Sequence, residues 1–168
     1  MATTTNYGWT TPDDTALVKN GASAIRTLGS SIDTSLGGDW TAYTPTWTNL
    51  SPGNGTTDFA YKQLSKTVLV RGLFTRGSTS TITGAVSISL PVTSKTFTAG
   101  FVLGVANFED VGISGYPGIV RWESTTSASL RIFNAAGTYV VNTSISSTIP
   151  FTWATGDLIA VEFFYEAA

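Results

Sequence analysis

Apolar residues recur at a seven-residue spacing near the start of the chain. Val18, Ile25 and Ile32 form this series, and Leu28 lies between the last two. A seven-residue spacing of apolar positions is the a/d pattern of a coiled coil and places the residues on one face of a helix. The pattern predicts a single amphipathic helix over residues 11–36.

The residues at both ends of this segment favour a helix. Thr11 is a good N-cap, Pro12 suits the first helical position, and Asp14 completes an acidic variant of the capping box. Asp13 and Asp14 also complement the positive end of the helix dipole. Two glycines at positions 37 and 38 predict where the helix stops.

The apolar stripe allows two interpretations. It is either the core of an oligomeric stem over residues 11–38, or the face on which the helix lies against the rest of a monomer. The terminal position and the glycine joint favour the stem, although the helix is too short to hold chains together alone. Gly21 interrupts the stripe, which indicates a kinked or closely packed stem. Val and Ile at these positions suit both dimers and trimers.

After residue 38 the period changes from helical to alternating. In one clear example Val86, Ile88 and Leu90 alternate with Ser87 and Ser89. Alternation of this kind is typical of strands with one buried face. We count roughly eight to ten such strands with a turn about every ten residues, which predicts a mainly β domain, an antiparallel, jelly-roll-like β-sandwich.

Some positions within this β domain, residues 39–168, carry sharper expectations. Residues 158–165 are apolar enough to predict a strand that is buried on both faces near its centre. Gly100 and Gly104 interrupt another apolar segment and indicate bulges or bends. Gly156 and Asp157 predict a turn before the last strand.

The first ten residues show no periodicity. They are polar apart from Tyr7 and Trp9, which flank Gly8. One interpretation is a frayed tail. The other is a flexible arm whose two aromatic side chains dock into a pocket and become ordered on binding.

Composition and charge restrict the classes of ligand. Of 168 residues 42% are hydrophobic and only 12% charged, and the net charge is −2 with a sequence pI near 4.9. The nine Lys and Arg residues are scattered singly, so we expect no nucleic-acid partner. No apolar stretch is long enough to span a bilayer and no signal peptide is recognisable, so we also expect no membrane insertion.

The chain lacks the usual chemistry of an active site. It contains neither Cys nor His, which removes thiolate nucleophiles, zinc–thiolate sites and the commonest general base. The acids of the β part form no local motif for a glycosidase, and Glu109 with Asp110 is a weak signal for calcium. We therefore expect no enzyme and no cofactor or metal, with a polysaccharide-degrading enzyme as a distant alternative.

Four tryptophans are candidates for stacking on sugars. Trp40, Trp47, Trp122 and Trp153 lie in the predicted β part or at its start. An exposed indole binds the apolar face of a sugar ring, but tryptophan in a β-sandwich is more often core or subunit interface. The core interpretation is favoured for each of them.

Several segments resemble bacteriophage tail fibre and minor tail proteins. Residues 6–33, NYGWTTPDDTALVKNGASAIRTLGSSID, carry the most specific likeness. WTAYTPTW at 40–47, YKQLSKTVLVRG at 61–72, SISLP at 87–91 and WATGDLIAVEFFYE at 153–166 are looser matches to the β heads of such proteins.

The resemblance implies a homotrimeric virion protein on the tail or capsid surface. It makes residues 1–10 a particle-attachment arm that contacts other virion proteins through Asn6, Tyr7, Gly8 and Trp9. It makes Val18, Ile25, Leu28 and Ile32 the core of a trimeric stem. The β head would face outward, with a host-surface glycan or protein as receptor and with receptor-binding residues unknown. Because the chain is short, a head fibre or a capsid decoration protein is the alternative to a short tail fibre.

Overall fold

The computed structural model describes residues 2–12, 15 and 17–168. The chain forms two compact units, of which the first ends at Trp40 and the second is Thr41–Ala168. The division lies close to the predicted boundary between stem and head. Among the described residues, no helix combines the length and apolar character needed to cross a membrane.

The first unit consists of a small hairpin and one helix. Strand β1, Ala2–Thr3, pairs antiparallel with β2, Thr10–Thr11, and helix α1 is Val18–Gly37. The pairing follows from the many threonines, because β-branched residues favour extended backbone. Gly8, at a φ of 64°, supplies the left-handed residue that the connecting loop needs.

The predicted start of the helix is wrong. Thr11 lies in β2 rather than at an N-cap, and α1 begins after Leu17, whose extended backbone carries no side-chain cap. The expected roles of Asp13 and Asp14 fall outside the described residues. The predicted end is confirmed, because α1 stops at Gly37 with Gly38 as its C-cap. Gly21 does not divide the segment, since α1 is one continuous helix.

The second unit is mainly β, and all ten of its strands belong to one antiparallel sheet. The strands are β3 Thr41–Ala42, β4 Trp47–Ser51, β5 Thr56–Leu64, β6 Thr67–Thr75, β7 Thr81–Ser89, β8 Val102–Asp110, β9 Ser114–Ser124, β10 Ser127–Asn134, β11 Val141–Ser144 and β12 Leu158–Glu166. Their order across the sheet is β3-β5-β6-β12-β8-β9-β10-β7-β4, with β11 paired to β10. The predicted mainly β architecture is confirmed.

The sheet curls around a core on one of its faces. Trp47 on β4 packs against Phe59 and Phe74, with ring centroids 5.7 and 5.3 Å away, although β4 and β5 lie near opposite ends of the strand order. Val86, Ile88 and Leu90 are buried as predicted, but burial does not alternate fully, because Ser87 between them is also buried and Ser89 is half-buried.

The last strand departs from its prediction. Along β12 buried residues alternate with residues that are half-buried or exposed, and Glu162 and Phe164 lie on the exposed side. The strand is therefore central in the sheet and still has one outer face. The bulge expected near Gly104 is confirmed by a register shift between Val102 and Gly104 where β8 pairs with β9.

Candidate functional site

The predicted attachment residues form the loop of the N-terminal hairpin, which we define as residues 2–11. The amide of Gly8 donates to the carbonyl of Thr4, and the amide of Trp9 donates to the Thr4 hydroxyl at 3.0 Å. Tyr7 and Trp9 stack with ring centroids 4.6 Å apart. Asn6 lies in the turn and is exposed.

Trp9 ties this hairpin to the helix of its own unit. Its indole Nε1 donates to the hydroxyl of Ser35 at 3.0 Å, and its side chain is half-buried. The segment is thus an ordered hairpin, and the expectations of a frayed tail or a loose arm are wrong. Tyr7 remains exposed beside it. The clustered threonines around Asn6 and Gly8 were the signal for a hairpin.

A polar groove of about 640 Å³ runs between the hairpin loop and α1. Tyr7 and Trp9 form one wall, and Arg26 with several Ser and Thr hydroxyls of the helix forms the other. Several of these hydroxyls are already bonded to helix carbonyls, as Thr27 is to Ser23 at 3.0 Å. The groove therefore offers an aromatic wall and a polar wall to a bound segment.

The opposite side of α1 carries apolar residues in contact with water. Val18 is 96% exposed, Ile25 65%, Ile32 36% and Leu36 44%. With exposed small residues between them they form a series at alternating spacings of four and three, which we name the exposed stripe: Val18, Ala22, Ile25, Gly29, Ile32 and Leu36. A monomer gains nothing from leaving such a stripe in water.

Leu28 does not belong to the exposed stripe. It is half-buried, as are Gly21, Ala24, Ser31 and Ser35 on the same side of the helix. Ser35 accepts the Trp9 indole, and β2 contacts α1, so this side faces the hairpin. Three of the four predicted stem residues therefore share one uncovered face, and Leu28 lies at its edge toward the hairpin.

Three of the four candidate sugar-stacking tryptophans are buried or half-buried in the second unit. Trp153 belongs to the hydrophobic core and its indole donates to the carbonyl of Ser146 at 2.9 Å, while the half-buried Trp47 packs against that core. Trp122 is half-buried and donates to the buried Ser94 hydroxyl at 3.0 Å. Trp40 alone of the four is exposed, at the end of the first unit.

Other aromatic residues are exposed on the second unit instead. Phe101 and Phe164 line an apolar groove of about 500 Å³ whose rim carries Lys66 and Glu166. Phe101 also stacks on Phe97, with ring centroids 4.5 Å apart. This groove was not predicted, because its walls come from the end of the last strand and from the loop that precedes β8.

Two arginines come together on the outer face of the sheet. Arg121 on β9 pairs with Ser129 on β10, and Arg131 lies two residues further along β10, so the two are diagonal neighbours. They line a pocket of about 220 Å³ together with hydroxyls of Ser87, Ser129 and Ser144. Partial burial lowers the pKa of Arg131, the charge of Arg121 lowers this pKa further, and Glu123 opposes both.

One acid of the second unit is buried. Asp157 is only 2% exposed and accepts hydrogen bonds from the amides of Val111 at 3.2 Å and Ala154 at 2.5 Å. The predicted turn at Gly156 and Asp157 is confirmed, with Gly156 at a φ of 98°. Within residues 2–12, 15 and 17–168, no three acidic side chains converge as a metal site.

Comparison with known proteins adds no family assignment. No protein-family model matches the chain, and no curated protein or solved structure is significantly similar to it.

Proposed function

We propose that this chain is a bacteriophage virion protein, a short homotrimeric fibre or spike whose β unit contacts the host surface. The observation that carries the proposal is the exposed stripe of α1, from Val18 to Leu36. A heptad stripe that the hairpin of its own unit leaves uncovered is explained by packing against copies of itself. The likeness of residues 6–33 to tail fibre segments supports three copies and a place on the virion.

The composition of the exposed stripe suits a closely packed stem. Ala22 and Gly29 alternate with Ile25 and Ile32, and a Cβ built at Gly29 would meet no atom within 4 Å apart from the backbone of the adjacent helical turns. Small residues at alternate layers let helix backbones approach each other, while the isoleucines fill the spaces between them.

The N-terminal hairpin is the proposed attachment element. Asn6, Tyr7, Gly8 and Trp9 form its loop, and the bond from Trp9 to Ser35 holds that loop in place. A preordered element loses less conformational entropy on docking than a flexible arm does. The exposed Tyr7 ring and the polar groove beside it are the surfaces that a second virion protein would contact.

The second unit is the proposed head, a sandwich-like fold in which the two halves of the curled sheet pack together. Contact of Trp47 with Phe59 and Phe74 supports this description. A jelly roll in the strict sense divides its strands between two sheets, whereas a continuous path joins the strands here. Phe164 and Val105 are exposed on central strands, and contacts between them in neighbouring heads would add to the association of the trimer.

Two other functions use the same parts differently. A capsid decoration protein or head fibre would dock the same preordered hairpin on the capsid, so the hairpin is compatible with both roles. Copy number separates the two roles, because hundreds of copies per particle contradict a tail fibre. A polysaccharide-degrading enzyme is the distant alternative, and release of product from a bound glycan would identify it.

The experiment is competition for adsorption, using the phage whose particles contain this chain. Purified trimer, preincubated with host cells, should lower the adsorption rate of that phage, because the free heads occupy the receptors. A trimer with unchanged mass that leaves adsorption unaffected would contradict the attachment role and favour capsid decoration. Absence of the chain from purified particles would contradict every virion role.

A further inference from the structure

The pocket lined by Arg121 and Arg131, which we name the two-arginine pocket, lies on the proposed head. It lies on the outer face of β7, β9, β10 and β11, where the strand register brings Arg121, Ser129 and Arg131 together. Ser87 is paired with Ser129 across β7 and β10 and adds a further hydroxyl. The arginine and serine side chains of the pocket are thus held by regular strands, and Ala99 of the loop before β8 completes the lining.

The hydrogen bonds of Arg131 fix its orientation. Its Nε donates to the Asn142 Oδ1, its Nη2 donates to the Asn142 carbonyl at 3.0 Å, and its Nη1 donates to the Ser144 hydroxyl at 3.2 Å. A guanidinium held in this way keeps its remaining donors in one direction. It is preorganised for a planar or tetrahedral oxyanion.

Arg121 has no such acceptors. Its guanidinium makes no hydrogen bond to the part of the chain that the structure describes, although it is half-buried beside Gly100. Glu123 lines the same pocket, yet across the described residues no carboxylate lies within 4.0 Å of either guanidinium. Glu123 offsets the repulsion between the two neighbouring positive charges only in part, and an anion bound between them would reduce it further.

We propose that this pocket binds a single oxyanion group, carried by an acidic sugar. A volume of about 220 Å³ admits one charged group with one sugar ring and excludes a longer stretch of glycan. The forked donors of Arg121 and Arg131 would take the anion, and the serine hydroxyls would bond to neighbouring sugar hydroxyls.

This pocket gives the proposed receptor-binding head a ligand class. Only that link depends on the proposed function; the binding itself does not. Three pockets per trimer would convert weak single contacts into firm attachment to a surface that carries many acidic sugars.

The test is a titration of the full chain with glucuronate, followed by calorimetry and by NMR of the arginine Nε–H signals. We expect a dissociation constant on the order of 1 mM, typical of one charged group at a small pocket. Glucose, which has the same ring without the carboxylate, should not bind. Arg121→Gln should weaken glucuronate binding about tenfold or more, and Arg121→Lys should weaken it less, because lysine keeps the charge and loses the fork.

Lys62→Gln is the matched control, since it removes one positive charge from β5 in the same sheet. Unchanged binding by Arg121→Gln with intact circular dichroism, equal loss by Lys62→Gln, or equal binding of glucose would each overturn the proposal. Inorganic phosphate that binds as tightly as glucuronate would overturn the sugar as the source of the anion. None of these results would alter the trimer mass or the presence of the chain in virions, so the two proposals fail separately.

Discussion

Replacing Ile25 and Ile32 by aspartate in one variant perturbs the exposed stripe while leaving the rest of the chain intact. Within the first unit Ile25 is 65% exposed and Ile32 36%, so the substitution removes only part of the contacts that each side chain could make there. Isoleucine and aspartate have similar helix propensities, so α1 itself should persist. In a trimeric stem the same change would place six carboxylates in one seam. We expect the stem to open while the heads remain associated.

The magnitude follows from the exposed fractions of the two side chains. Full burial of an isoleucine stabilises by about 1.5–3 kcal/mol. Scaled by the exposures of 65% and 36%, the two residues contribute about 1.5–3 kcal/mol per chain and about 5–9 kcal/mol per trimer. Repulsion between the aspartates adds to this loss at low salt. The variant should therefore lose a large part of the association energy and none of the fold.

The assay is light scattering coupled to size exclusion over a range of protein concentrations, with circular dichroism to follow the helix. The variant should keep a trimeric mass at high concentration, dissociate at a higher concentration than the unchanged chain, and recover with added salt. Ser23→Asp with Ser30→Asp is the matched control, because it adds the same charges at the same spacing on the polar face. This control should not change the mass.

Two results would refute the reasoning. Complete dissociation to monomers at every concentration would show that the helix supplies all of the association and the head none. An unchanged dissociation profile, equal to that of the polar-face control, would show that the exposed stripe is not an interface.

Three further predictions concern a glycine, a buried acid and a buried tyrosine. Gly29→Ala should raise the free energy of unfolding in urea by less than the roughly 1 kcal/mol expected from helix propensity, because a partner helix occupies the space beside it. Asp157→Asn should lower the free energy of unfolding by about 1–3 kcal/mol at pH 7, because the buried Asp157 carboxylate accepts a hydrogen bond from the amide of Ala154. Burial raises the pKa of Tyr165 from the usual 10 to about 12, although its hydrogen bonds to Val92 act in the opposite direction. The free energy of unfolding should therefore fall as the pH rises from 10 to 12.

Each of these predictions has a matched control. Gly21→Ala adds a methyl group off the exposed stripe and should stabilise more than Gly29→Ala; the reverse order would argue against close helix packing. Asp58→Asn changes an exposed acid and should have little effect, so an equal loss would remove the special role of Asp157. In the unchanged chain Tyr165 ionises near pH 10 when unfolded and only near 12 when folded, which favours unfolding between these pH values. Phenylalanine does not ionise, so Tyr165→Phe should lose less stability over this pH range. An undiminished loss in that variant would assign the effect to other groups.

The β character and several turns could be predicted because they depend on local patterns. The alternation at Val86, Ile88 and Leu90 indicates which face of the strand points to the core, and Gly156 before Asp157 indicates where the chain turns. The same reasoning failed for β12, since an apolar run does not reveal whether its second face meets water. Phe164 lies on that exposed face.

Features that depend on pairing were not predictable from the sequence. The start of α1 was placed too early because Thr11 is both a good N-cap and a good strand residue, and pairing with Ala2 decided between them. Arg121 and Arg131 are isolated charges in the sequence, and only the register of β9 and β10 shows that they are neighbours. Sequence spacing alone does not fix a strand register.

The mass of the unmodified chain in solution tests the central claim most directly. Light scattering should give three times the 17.7 kDa of one chain, about 53 kDa, at micromolar concentration. A mass of 17.7 kDa at the same concentration would contradict the trimeric stem, and with it the proposed fibre.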